Sequence, residues 1–201
     1  MKKIFLIEDG AAHLLTPLTD TRRPSGIRCG GVTLEEAINR IWPEASYRFK
    51  HGAVEGWELV DEALLINSRA VPLLTALTAV AARVDKGETK GKLGLLQRPW
   101  LVVSAHEEIC GQNMNFLQRY YAEQEPGIYV GKNVTVHATA VLDASAGHII
   151  LDDETVVMPF AYLQGPVYLG KHSIAQPHSI IGPNVSAGHY VKLGGEVAHS
   201  T

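Results

Sequence analysis

The most pointed chemistry in this chain belongs to two arginines that follow its first apolar segment. Arg22 closes Pro17-Leu-Thr-Asp-Thr-Arg22 and Arg28 sits in Ile27-Arg28-Cys-Gly30, both after Lys3–Ile7. A guanidinium offers a planar fork of donors that meets a phosphate two bonds at a time. In sheets flanked by helices, ligands bind outside the carboxyl ends of the strands, which is where this loop belongs. The same arginines could instead pair with Glu8, Asp9 or Asp20, and spacing leaves both uses open. The lysines of the 85–95 stretch could also meet phosphates, but its Gly-rich, polar composition suits an exposed loop. No histidine stands out. His137, His148, His172, His178, His189 and His199 read as corner or surface residues, and His13, His51 and His106 read alike. Cys29 and Cys110 form no Cys-x-x-Cys pair, which argues against a zinc knuckle or a dithiol redox site. They fit reduced thiols in a cytoplasmic protein.

The elements that must position the arginines come from the first 126 residues. Lys3–Ile7 is a short apolar strand stopped by Glu8-Asp9-Gly10. Thr33-Leu-Glu-Glu36 is a capping box in front of Ala37, Ile38, Ile41 and Trp42, and Pro43 ends that helix. Glu58–Asn67 reads as a second strand. Pro72 introduces a helix from Leu73 to Val84 that Gly87 closes. Pro99–Val103 reads as a further apolar strand, with a second capping box, Ser104-Ala-His-Glu107, opening a helix through Tyr120. Alternating strands and helices imply an α/β layer with a mostly parallel sheet.

From residue 127 the grammar changes. Leu151, Val157, Leu163, Leu169, Ala175, Ile181, Ala187 and Leu193 recur every six residues. The residue four places after each is small or β-branched, from Thr155 to Val197. Val130, Val136 and Leu142 extend the series upstream, and the longer step from Leu142 to Leu151 requires an insertion near Gly147. Such a period places one aliphatic and one small side chain inside each short strand, and three hexads close a triangular coil. The predicted domains are therefore 1–126, α/β, and 127–201, a parallel β-helix of about 11 hexads. Leu163, Leu169 and Ile181 should be fully buried, while Tyr162, Tyr168 and Tyr190 should face outward.

Composition narrows the function. A net charge of −3 makes nucleic acid a poor partner. No apolar run is long enough to span a membrane, and the N-terminal run stops at Ile7, too short for a signal peptide.

The order of domains, with these motifs, resembles the sugar-phosphate nucleotidyltransferases, in particular a uridyltransferase-like branch. Glu8-Asp9, Pro17-Leu-Thr-Asp-Thr-Arg22, Ile27-Arg28-Cys-Gly30, Thr33-Leu34, Leu65-Ile-Asn-Ser-Arg69 with Pro72, and Leu193-Gly-Gly-Glu-Val197 occur in that family's order. The resemblance implies left-handed coils and a homo-oligomer, with a trimer first. It implies attack of a sugar 1-phosphate on a nucleoside triphosphate, with release of pyrophosphate. Arg22, Arg28, Thr19 and Asn67 would be the phosphate- or substrate-binding residues. Mg²⁺ would be the cofactor, held near Asp9 and Asn67. The chain departs from the pattern where Asn67 replaces an acidic metal ligand, where one glycine replaces a Gly-rich loop, and where the 84–100 span is short. A weak or degenerate enzyme is therefore expected. Two other readings stay open: acyl transfer from CoA by the β-helix, and a non-catalytic binding or assembly module.

Overall fold

The computed structural model describes residues 3–201, which form two compact units. The first comprises residues up to Ile27 and Val32–Val102; the second comprises Arg28–Gly31 and Val103–Thr201. The change of grammar at residue 127 marks where the hexads begin, whereas the second unit starts at Val103, inside a helix.

The first unit is built on a five-stranded sheet. Its strands are β1 (Lys3–Glu8), β2 (Ser46–His51), β3 (Gly56–Val60), β4 (Ala63–Asn67) and β5 (Lys90–Lys92), in the spatial order β2-β1-β4-β3-β5. β1 pairs in parallel with β2 and β4, but β3 runs antiparallel to β4 and β5, so the sheet is mixed rather than mostly parallel. The reason lies in Asp61 and Glu62. Both adopt left-handed φ, 47° and 63°, and fold Glu58–Asn67 into a hairpin where one strand was expected. The 85–95 stretch is a loop except for β5, which closes the sheet edge on β3.

α1 (Leu34–Ile41) begins at the expected capping box, with Thr33 and Glu36 exchanging both bonds. α2 (Leu74–Asp85) follows Pro72. Both helices serve the same face of the sheet, where the Tyr47 hydroxyl donates to Glu35 of α1 and Arg83 of α2 lies over the Trp57 ring. Ile4, Leu6, Trp57, Leu64 and Ile66 are buried on that face.

Pro99–Val103 is not a strand. It is the first turn of α3 (Pro99–Leu117), and Ser104 lies inside this helix rather than capping it. Proline presets the first helical φ, and Trp100, Leu101 and Val103 stay exposed. The buried stripe runs Val102, His106, Ile109, Cys110, Asn113, Met114 and Leu117, spaced as one helix face. Its two polar members disguise the pattern in the sequence.

In the second unit, short parallel strands stack into three sheets, the arrangement of a β-helix. One sheet holds Ile128–Val130, Ile149–Leu151, Val167–Leu169 and Val185–Ala187. Ile149 pairs with Val167 and Val167 with Val185, three hexads further on each time. Ile128 pairs with Ile149, three residues more than that, which is the insertion expected near Gly147. β6 (Ala122–Glu125) adds antiparallel to the first of these strands. The lead aliphatics Leu151, Val157, Leu163, Leu169 and Ile181 are fully buried or nearly so.

Tyr168 does point away from this core, yet it is 1% exposed. The outward face of its sheet is covered, because a Cβ on Gly31 would touch Met114 and Leu117 of α3 and Tyr168 together. The Tyr168 hydroxyl donates to Asp152 at 2.8 Å, and burial pushes its pKa up. Tyr190, by contrast, is 76% exposed.

Candidate functional site

The loop after β1 begins with Asp9, and here both Asp9 carboxylate oxygens and the whole Asn67 amide are engaged. Arg69 grips the Asp9 carboxylate with two bonds, Nε to Oδ1 at 2.9 Å and Nη2 to Oδ2 at 2.6 Å. Asn67, at the end of β4, donates to Asp9 Oδ2 at 2.8 Å and to the Val54 carbonyl at 2.6 Å. Its own amide oxygen accepts from the Arg69 backbone N–H at 2.9 Å, while Arg69 Nη1 donates to the Leu96 carbonyl. The Ala11 N–H completes the shell of Asp9. Burial alone would raise the Asp9 pKa, but the bonds from Arg69 and Asn67 outweigh it and hold the carboxyl below its usual 3.8.

This saturation bears on the expected magnesium. Asp9 already accepts four bonds and the Asn67 oxygen one, so these residues do not fit a hard cation that wants free oxygens. Among the described residues, no group of three His, Cys, Asp or Glu side chains gathers elsewhere to hold a metal.

Beside the network lies an open concavity of about 560 Å³, lined among others by Glu8, His13, Thr16, Thr19, Arg22 and Arg23. Arg23 pairs with Glu8 at 2.7 Å and lies 4.1 Å above the Phe49 ring. Arg22 is exposed and has no ion-pair partner among the described residues. The structure thus brings Arg22 and Thr19 into one concavity, and Asp9 and Asn67 into one network. Arg28 falls in the other unit. There its guanidinium donates to the Gly31 carbonyl at 2.5 Å and lies 5.7 Å from the Tyr168 ring.

Sequence reasoning missed Arg23 and Arg69, the two arginines that answer Glu8 and Asp9. It also missed the polar pair on α3. Gly30 donates its N–H to His106 Nδ1 at 2.9 Å and accepts from Asn113 Nδ2 at 2.8 Å. With Nδ1 accepting, the His106 proton sits on Nε2 and is given to the Asn184 carbonyl at 2.9 Å. Burial lowers the His106 pKa below its ordinary 6.5. Burial also pushes the neighbouring thiols of Cys29 and Cys110 up to about 12, so neither is a ready nucleophile.

No protein-family model matches this chain, and no curated protein matches it.

Proposed function

We propose that the concavity beside β1 binds a sugar phosphate or a nucleoside triphosphate, in a nucleotidyltransferase-like protein whose transfer activity is weak or lost. The carrying observation is Arg22, an exposed guanidinium without an ion-pair partner among the described residues, in a concavity it shares with Thr19. Transfer of a nucleotidyl group needs the phosphate oxygens neutralised along the reaction, and Arg22 supplies part of that charge, whereas Arg23 is already paired with Glu8. The acidic metal ligand such chemistry relies on is replaced by Asn67, whose amide is already spent on Asp9, Val54 and Arg69. Binding with little turnover is the consequence.

Calorimetry with UTP and with sugar 1-phosphates tests the binding. Arg22→Ala should weaken it by about 1–3 kcal/mol, through the loss of charge-assisted bonds. Unchanged affinity would end the reading. Robust pyrophosphate release from a triphosphate and a sugar 1-phosphate would show that the activity is intact instead.

The same proposal takes the coils of the β-helix to be left-handed and the chain to assemble as a trimer. Exposed Val141, Phe160 and Ile180 supply apolar contact area for that assembly. Light scattering after size exclusion distinguishes it from a monomer of 21.8 kDa.

A further inference from the structure

We propose that the uncovered face of the first unit's sheet is a docking surface for an acidic amphipathic helix of another protein. Both helices that pack on this sheet serve the Tyr47–Trp57 face. The strand registers fix what lies on the opposite face. One row across the five strands reads Arg48, Phe5, Leu65, Glu58, Lys90. On the same face Lys50 follows Arg48 and Lys92 follows Lys90, because alternate residues share a side. All four cations are exposed.

The centre of this face is apolar. Phe5, Leu65 and Ala63 are half-buried, and Val60 is 42% exposed. The Lys50 ammonium lies 3.8 Å over the Phe5 ring, a cation–π contact that brings this margin's charge to the border of the apolar centre. A layered α/β fold normally buries such a face beneath a helix. Four inter-strand steps of roughly 4.8 Å set the basic margins on the order of 19 Å apart. The next row, between Lys50 and Lys92, is closed, since Ile7 and Asn67 are buried and Asn67 donates to the Val54 carbonyl. A helix about 10 Å across therefore fits over the Arg48–Lys90 row and the residues beyond it, its carboxylates reaching either side.

Charge selects the occupant. Arg48 and Lys50 form one margin, and Lys90 and Lys92 the other, against Glu58 alone in the row between. An apolar stripe flanked by Glu or Asp complements both margins, whereas a basic helix is repelled. Lysines on edge strands also discourage sheet-to-sheet pairing. That role accounts for the margins but not for an apolar centre without a covering layer.

The test uses the full chain and a synthetic amphipathic peptide of about 18 residues, five helical turns, with Glu on both flanks of a Leu stripe. A counterpart with Lys flanks and a single-stranded oligonucleotide serve as comparators in fluorescence anisotropy. The Glu-flanked peptide should bind roughly tenfold or more tightly than the Lys-flanked one at low salt, and lose about as much on Arg48→Glu with Lys92→Glu. Both of those side chains are exposed, so the double variant should melt as the parent does. Leu65→Glu should abolish binding by striking the centre alone. Equal binding of the two peptides overturns the proposal, as does binding indifferent to the double variant. Tighter binding of the oligonucleotide than of the Glu-flanked peptide overturns it in favour of a polyanion.

Discussion

Asp9 and Asn67 show how much of a residue's role is decided by neighbours far away in sequence. Either could serve a metal on its type alone, yet Arg69, sixty residues from Asp9, occupies both carboxylate oxygens. Nothing in the spacing announces that pairing, because it depends on β1 and β4 lying side by side. Arg69→Ala should therefore destabilise the fold by about 1–3 kcal/mol, since it strands a half-buried carboxylate; chemical denaturation measures this. Asn67→Asp should also lower the melting temperature, by placing a second carboxylate against Asp9 and removing its donor. Magnesium that restored the lost stability to that variant would reveal a site the native amide suppresses.

At the level of elements, strong periods were legible and weak ones were not. The six-residue step specified the interior of the coils, the burial of Ile181 and even the insertion near Gly147. Ile181→Asp should cost about 3–5 kcal/mol, an unpaired charge in a dry column, and an unchanged melting temperature would refute the packing. The start of α3 reads as a strand in the sequence because Pro99–Val103 is apolar and ends in two β-branched valines, and because His106 and Asn113 interrupt the helix's buried stripe. Those two residues exist for Gly30, whose φ of 61° and close contact with Ile109 and Asn113 leave no room for a side chain. Gly30→Ala should accordingly cost about 1–3 kcal/mol, from backbone strain and crowding together. The β3–β4 hairpin was hidden for a different reason: Asp61-Glu62 is not a glycine-bearing turn, although both residues take left-handed φ.

Across the molecule, the second unit draws α3, the Arg28–Gly31 segment and the Asn184 corner together through one imidazole. His106 is depressed by burial, with Glu107 and His199 the nearest titratable influences. Its unfolded pKa is about 6.5, so below that value the unfolded chain binds the extra proton more readily. Stability from this group is complete above that pH and is lost as the pH falls toward the folded pKa. Thermal melts between roughly pH 7 and pH 5 should show the decline, and His106→Gln should flatten it. A decline of equal size in the variant would assign it to other groups.

The stacking of the coils also sets a limit on how uniquely the chain can wind. Inside, each hexad offers one apolar and one small or β-branched side chain, so a strand displaced by six residues meets a similar interior. Outside, the residues differ from coil to coil, and Ile150 and Tyr168 are buried at matching places on a single sheet. A chain that winds one hexad out of phase thus loses little within its column but presents foreign side chains to α3. Choice among nearly degenerate windings then rests on the covering helix and on the Asp143–Gly147 insertion, not on the aliphatic column that holds the coils together. Tyr168→Ala should therefore lower the fidelity of winding, and duplicated amide resonances in the variant's NMR spectrum, against a single set in the parent, would register it.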